Sequence, residues 1–385
     1  MSLNPIVLSI PVFFILIGIE VAWDRFRKGG VYRLADALTN ISCGVTEQVF
    51  GVFSKVVSVA LYYWVYEYFR LTTLPIKGWT LLGLFLLVDF CYYWAHRWSH
   101  EVNLLWAGHV VHHQSEHYNL SVALRQGALH KIFTAAVYAP LALLGFNPYW
   151  FLLLMAYNTL YQFWIHTQYI GKMGWLEYVF NTPSHHRVHH GRNPEYIDKN
   201  HAGVLIIWDK LFGTFEPERA PVVYGITTPI NSWNPVYAQV AHFGTIGKDL
   251  TSARGWREVV RVLFGRPGWH PEGNKMMSQT GHGGHCTDQI VVGSTQSRSL
   301  VDQVVVGTGL NVYVLAQHLL LLGVTTFFLF RHEQTSVNEK GMLALWIFVT
   351  SATLGMLLEK QASARIWEIF RLILTIMGII YLMFI

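Results

Sequence analysis

The chain has 385 residues, 52% of them hydrophobic and only 13% charged, against about 25% charged in an ordinary globular domain. That balance excludes a single soluble domain and points to a membrane protein. The formal charge of +5 sits on basic residues between apolar runs, where they act as topology signals rather than as a nucleic-acid patch, and the odd count of 3 Cys, two of them in apolar segments, argues against a disulfide framework.

The first apolar run, Ile6 to Trp23, is as long as a bilayer span. It has no basic segment before it and no small-residue cleavage pattern after it, so it is expected to stay as a helix. Arg25, Arg27, Lys28 and Arg33 follow, which places that loop in the cytosol by the positive-inside rule. Apolar runs continue at Val45 to Phe69, Leu81 to Ala95, Ile132 to Leu144 and Tyr149 to Ile165. The last three fall short of the roughly 20 residues a crossing helix needs unless their ends extend into neighbouring segments. Pro140 and Asn147-Pro148 predict that the last two form a tight helical hairpin that dips in and returns on the same side. No span is expected from Gly171 to about Ser299, and three more follow at Leu310 to Phe330, Met342 to Leu358 and Ile366 to Ile385, with an anchoring role.

Chemistry concentrates between the third run and the hairpin's far side. Twelve of the 19 histidines lie between His96 and His190, in patterned groups: His96-x-x-x-His100, His109-x-x-His112-His113 and His186-x-x-His189-His190. Positions i, i+3 and i+4 share a helix face, so each group can present its imidazoles to one place. Imidazole suits iron, zinc, copper or nickel, not magnesium or calcium. Eight such nitrogens exceed what one ion takes, which implies two ions. His166, at the end of the hairpin, is expected as a ninth ligand, and His117, His130, His185 and His201 as outer or structural residues. Asp89, seven residues before His96 on the same face, is expected to accept a hydrogen bond from a ligand ring, because a carboxylate in an apolar span calls for a partner. The glutamate of a zinc protease is missing from its place, and no nucleophile elbow, phosphate loop or dinucleotide fingerprint occurs, so oxygen activation by a metal pair fits better than hydrolysis. The Gly281-His282-Gly283-Gly284-His285-Cys286 stretch, in a Gly- and Ser-rich segment, is read as a loop without further ligands nearby.

These motifs resemble the fatty acid hydroxylase and sterol desaturase superfamily of membrane oxygenases. The likeness extends to the segment from Gly203 to Phe215, and also to Tyr118-Asn119-Leu120-Ser121, Asn181-Thr182-Pro183-Ser184 and Val223-Tyr224-Gly225. Within the superfamily the chain looks most like the glyceryl-ether monooxygenases. The resemblance implies a di-iron centre held by His96, His100, His109, His112, His113, His186, His189 and His190, with His166. It also implies tetrahydrobiopterin as reductant and hydroxylation of the carbon beside the ether oxygen of an alkylglycerol. Glu101, Glu116, Asn119 and Asp209 match polar positions of the pattern that orient ligands or receive the pterin, whereas His201 departs from the aromatic residue expected there.

The expected fold is therefore all-α: a multi-spanning integral membrane protein with a polyhistidine di-metal site at the cytosolic ends of its helices. It divides into N-terminal membrane helices (1–80), a catalytic region (81–240), an extramembrane segment (241–305) and C-terminal membrane helices (306–385). The membrane would be the endoplasmic reticulum in a eukaryote or the inner membrane in a bacterium. A sterol or fatty acyl hydroxylase or desaturase, fed by a separate redox protein, is the competing expectation, and a metal-storing or lipid-transporting protein without turnover is a third.

Overall fold

In the computed structural model, residues 5–271 and 304–383 are described. Among them the chain forms α-helices and short 3-10 turns, with no named strand. The first helix, α1 (Pro5–Arg27), shows why it forms where it does. Leu8, Val12, Ile15 and Ile19 line one exposed apolar face at helical spacing, while Ile17, Glu20 and Asp24 are buried on the opposite face. Phe13 stacks on Phe163 with ring centroids 4.2 Å apart.

α2 (Leu34–Phe69) has 36 residues, about 54 Å of helix at 1.5 Å per residue, well beyond a hydrocarbon core of about 30 Å. The apolar run read from the sequence began at Val45, but the helix starts eleven residues earlier. Its first turns bury Asp36, Thr39, Asn40, Ser42, Thr46 and Glu47 against the histidine region, and a polar buried face looks like a loop to an apolar-run search. α3 (Gly78–Glu101) extends the expected Leu81 to Ala95 run into the first histidine group, and after Val102 the chain re-enters a helix as α4 (Asn103–His113).

The hairpin consists of α5 (His130–Thr134), a 3-10 turn and α6 (Ala139–Leu143) on one side and α7 (Pro148–Tyr161) on the other. Its tip meets the loop between α2 and α3, at the end remote from the histidines: Leu71 N–H donates to Leu143 O at 2.8 Å and Leu74 N–H to Gly145 O at 3.2 Å. Gly145 sits at φ +92°, and a Cβ there would meet Thr72 O at 2.0 Å, so this turn requires glycine. Both legs return to the histidine end.

The short α8 (Pro183–His189) and α9 (Ile207–Phe212) lie in an irregular region that closes over the histidines. α10 (Pro235–Ser252) and α11 (Trp256–Phe264) follow. The boundary expected at 240/241 falls inside α10, which packs continuously against α2 and α4. The C-terminal helices α12 (Thr308–Arg331), α13 (Val337–Leu358) and α14 (Ala364–Met383) form where the last three runs were expected. α12 and α13 share a core with α2, in which Val45, Val49, Val314, Leu321, Phe328, Ile347 and Leu354 are buried. The segment containing His282, His285 and Cys286 lies outside the described residues.

Among the described residues four helices, α2, α3, α12 and α13, are long and apolar enough to cross a membrane. Val57, Leu82, Val312, Leu319 and Leu345 stand exposed along them, a surface suited to lipid and unfavourable in water. The chain is an integral membrane protein.

One glycine joins the C-terminal helices to the rest. A Cβ on Gly355 of α13 would lie 2.5 Å from Trp233 O, and four residues on, the Glu359 carboxylate accepts from Trp233 N–H at 2.5 Å and Asn234 N–H at 3.0 Å, just before α10. Gly355→Ala is expected to push α13 off this backbone and lower stability by roughly 1–3 kcal/mol. A fall in the thermal unfolding temperature of the protein in detergent checks it; an unchanged temperature would mean that the close approach is not needed.

Candidate metal centre

Three helices and one turn deliver nine imidazoles to one place. α3 supplies His96 and His100 one turn apart, α4 supplies His109, His112 and His113, and α8 supplies His186 and His189 with His190 as its C-cap. His166 arrives from the turns after α7, where its N–H donates to Phe163 O. All nine are buried. They fall into two groups in which ligand atoms lie within 4.8 Å of one another: His96, His100, His109, His113 and His189, and His112, His166, His186 and His190. The groups abut, the His113 and His190 rings stacking at 4.5 Å.

The hydrogen bonds of these rings test whether a metal fits. His112 and His166 donate through Nδ1 to backbone carbonyls, Arg125 O at 2.9 Å and Gln162 O at 2.7 Å. Neither Nε2 then carries a hydrogen in the neutral ring, yet the two Nε2 atoms face each other at 3.2 Å. Two lone pairs at that separation repel unless a cation lies between them. His96 likewise donates from Nδ1 to His201 O at 2.7 Å, and His189 to Lys199 O at 3.0 Å. The remaining close Nε2 pairs are His96–His109 at 2.9 Å, His109–His113 at 3.1 Å and His166–His186 at 3.0 Å. Neighbouring ligands about 2.05 Å from an octahedral ion stand roughly 2.9 Å apart, so these spacings are those of ligand edges. His100, His189 and His190 also have an Nε2 with no hydrogen-bond partner. Burial pushes the His112 imidazole down to about 4, leaving it neutral at pH 7, the form a metal binds.

The other sequence candidates are placed differently. Asp89, expected to accept from a ligand ring, touches none. Its carboxylate accepts from Val204 N–H at 2.8 Å, Leu205 N–H at 3.0 Å, Trp208 Nε1 at 2.9 Å and Asn158 Nδ2 at 2.7 Å. It therefore clamps the 203–208 segment to α3 and α7, which satisfies a buried charge as fully as a metal ligand would. Asp209 acts one step from a ligand: it accepts from the backbone N–H groups of His201 and Ala202, both at 2.8 Å, and so fixes the loop whose His201 carbonyl orients His96. Asn119 accepts from Ser121 N–H at 3.1 Å and caps a 3-10 turn, and Glu101 pairs with Arg97 at 3.1 Å. Glu116 lies 3.7 Å from Arg192. His130 packs against His109 at 4.7 Å and His201 against His100 at 5.1 Å, both outside the two groups. His185 points away, edge-on to Phe215.

Several supports escaped the sequence reading. Arg125, almost wholly buried, donates to Val111 O, Asn40 Oδ1 and Gln114 Oε1, tying α2 and α4 beneath His112. Arg187 forms a two-pronged pair with Glu218, both contacts 2.7 Å, and donates to Thr167 O and Ile170 O, which binds α8 to the His166 turn. Its place inside the third histidine motif was the available signal. Glu20 of α1 accepts from Thr167 Oγ1, next to His166, and from Leu120 N–H.

A profile described as fatty acid hydroxylase matches residues 81–214, the stretch that carries all nine histidines. Human alkylglycerol monooxygenase is 41% identical over 95% of this chain and 80% of its own length, and that of Danio rerio 36% identical over 94% and 80%. The chain belongs to the alkylglycerol monooxygenase family. It is thus a lipid monooxygenase, an oxygen-dependent oxidoreductase, and the histidine groups fit iron. A more distant relative, the ornithine lipid hydroxylase OlsE of Rhizobium tropici, is 30% identical over 54% of the chain. No solved structure matches significantly.

Two substitutions probe the centre. His113 stacks on His190 and lies 4.7 Å from His100, so His113→Ala is expected to lose metal and activity together; full activity with an emptied site would reject a catalytic metal. Gly127 removes no ligand, but a Cβ there would sit 1.7 Å from Gly108 O, next to His109. Gly127→Ala is expected to lower bound iron at least severalfold by displacing α4, measured as iron per chain in the purified protein.

Proposed function

We propose that this protein hydroxylates the carbon beside the ether oxygen of an alkylglycerol, using two irons and tetrahydrobiopterin, in the endoplasmic reticulum of a eukaryote or the inner membrane of a bacterium. The observation that carries the reading is the convergence of nine buried imidazoles with facing bare nitrogens in a chain whose relatives, over most of their length, are alkylglycerol monooxygenases. His96, His100, His109, His113 and His189 would hold one iron, and His112, His166, His186 and His190 the other. The irons would supply oxygen activation toward an unactivated C–H bond, chemistry that side chains lack.

The chain's own part is placement. Backbone carbonyls of Arg125, Gln162, Lys199 and His201 hold four rings in the tautomer that offers Nε2 inward. Asp89 and Asp209 would act as positioning residues, fixing the 201–208 segment behind the rings. Glu101, Glu116 and Asn119 would stabilise the surrounding turns.

The reaction balances as one C–H bond and one dioxygen plus two electrons and two protons giving one C–OH and one water. The hydroxylated carbon then bears both the hydroxyl and the ether oxygen, a hemiacetal. Loss of the hydroxyl proton and cleavage of the C–O bond to glycerol, with protonation of the leaving oxygen, yields a fatty aldehyde and glycerol.

The test is to supply membranes containing the protein with an alkylglycerol, with and without tetrahydrobiopterin, and to measure fatty aldehyde. Aldehyde that depends on the pterin is the expected result. Its absence, alongside oxidation of a sterol or fatty acyl chain driven by a redox protein, would replace this reading.

A further inference from the structure

The segments that follow the hairpin, where no membrane span was expected, carry large apolar side chains that stay exposed. Trp175 and Tyr178, in a 3-10 turn (Gly174–Tyr178), are 71% and 74% exposed, and Leu211 of α9 is 68% exposed. Val179 and Phe212 beside them are exposed as well. The turn and α9 are tied into one unit. Asn181 N–H donates to Val204 O at 2.8 Å and Ile206 N–H to Val179 O at 3.0 Å, while the Lys210 ammonium donates to Glu177 O at 2.9 Å and Tyr178 O at 3.0 Å.

Where this unit sits on α3 decides what faces it. One ridge of α3 runs at four-residue steps from Leu82 through Leu86 to Phe90, Trp94 and Trp98. Leu82 and Leu86 are exposed, but from Phe90 onward α9 covers the ridge: the Phe212 ring lies 6.1 Å from Phe90 and 5.0 Å from Trp94, and Trp208 lies 5.2 Å from Phe90. Lys77, just before α3, marks one edge of the hydrocarbon. At about 1.5 Å per residue Phe90 is then about 18 Å along the crossing and Trp98 about 30 Å, the thickness of the hydrocarbon core. Irregular backbone at such a level needs its polar groups paired within the protein. Asp89 meets that need for Val204 N–H, Leu205 N–H and the Trp208 indole, which gives a reason for a carboxylate inside an apolar helix.

We propose that residues 174–179 and 207–212 form an apron embedded in the bilayer, at the boundary between acyl chains and headgroups of the leaflet on the histidine side. Trp175, Tyr178 and Leu211 touch lipid directly, although α9, with six residues, is far too short to span. Lipid is the occupant because the patch continues the lipid-facing ridge of α3 and is bordered by exposed Lys172 and Lys210, charges that meet headgroup phosphates while their stems lie along apolar surface. Tryptophan and tyrosine are the side chains that favour that boundary. The apron also fixes the level of the metal centre. Asp209 of α9 holds the N–H groups of His201 and Ala202, and His201 O orients His96, so the depth at which α9 seats is passed to the ligand rings.

The experiment places a photoactivatable diazirine amino acid at position 175, 178 or 211 of the full-length protein in phosphatidylcholine proteoliposomes, with Leu319 on the exposed face of α12 as the lipid-facing reference. After illumination, mass spectrometry reads what each position has captured, and iron per chain shows that the fold is kept. Phosphatidylcholine adducts at all three positions are expected, with yields within about threefold of that at Leu319. Capture of water alone at these positions, with lipid captured at Leu319, would overturn the proposal. Cross-links between two copies of the chain in place of lipid adducts would overturn it too, by making the patch a protein interface. A position whose replacement loses iron is set aside, and Leu211, on the helix that packs against α3, decides if the others disagree.

Discussion

Everything near the centre depends on buried imidazole nitrogens packed within about 3 Å of one another. A nitrogen lone pair buried without a partner costs on the order of 1–3 kcal/mol, and facing pairs add repulsion. The fold holds His112 against His166, and His96 against His109, because the other nitrogens of His112, His166 and His96 are committed to backbone carbonyls, so these rings cannot rotate to relieve the contact. Such an arrangement is stable with cations in it and strained without them. Metal binding and folding of this region are therefore expected to be linked, with the ions contributing to stability as well as to chemistry.

The surrounding polar network explains the shapes of the helices. α2 begins well before its apolar stretch because Asp36 and Asn40 face Ser115, Ser121 and Arg125, which lie under the second histidine group. α1 turns Glu20 and Asp24 toward the same region, where Asp24 accepts from Val31 N–H and Tyr169 OH. The long helices α1 and α2 thus carry the buried polar scaffold of the site at one end. By contrast, α12 to α14 contribute no histidine to either group, and α12 and α13 pack on α2, with α13 also against α10 and the 232–234 segment.

The histidine groups were legible because chemistry repeated at helical spacing: i, i+3 and i+4 had to gather on one face whatever the rest of the chain did. His166 was legible from its place at the end of the hairpin. Asp89 was legible as a buried carboxylate but not in its role, since face and spacing cannot tell a ring N–H from the backbone of Val204 and Leu205, which lie over a hundred residues away. The start of α2 was hidden for a related reason: buried polar residues read as solvent-exposed ones until their partners are known. The partners that orient four of the rings were invisible altogether, because a carbonyl belongs to every residue and only the fold decides which one is used.

That last feature bears on how the site tolerates change. Between His185 and His201 the chain holds two ring acceptors, Lys199 O for His189 of α8 and His201 O for His96 of α3. Replacing the side chain at position 199 leaves its carbonyl in place, whereas inserting or deleting a single residue in this loop shifts both acceptors at once. Descendants of this chain can therefore drift in letter while remaining rigid in length, and gaps here mark the loss of the centre better than substitutions do.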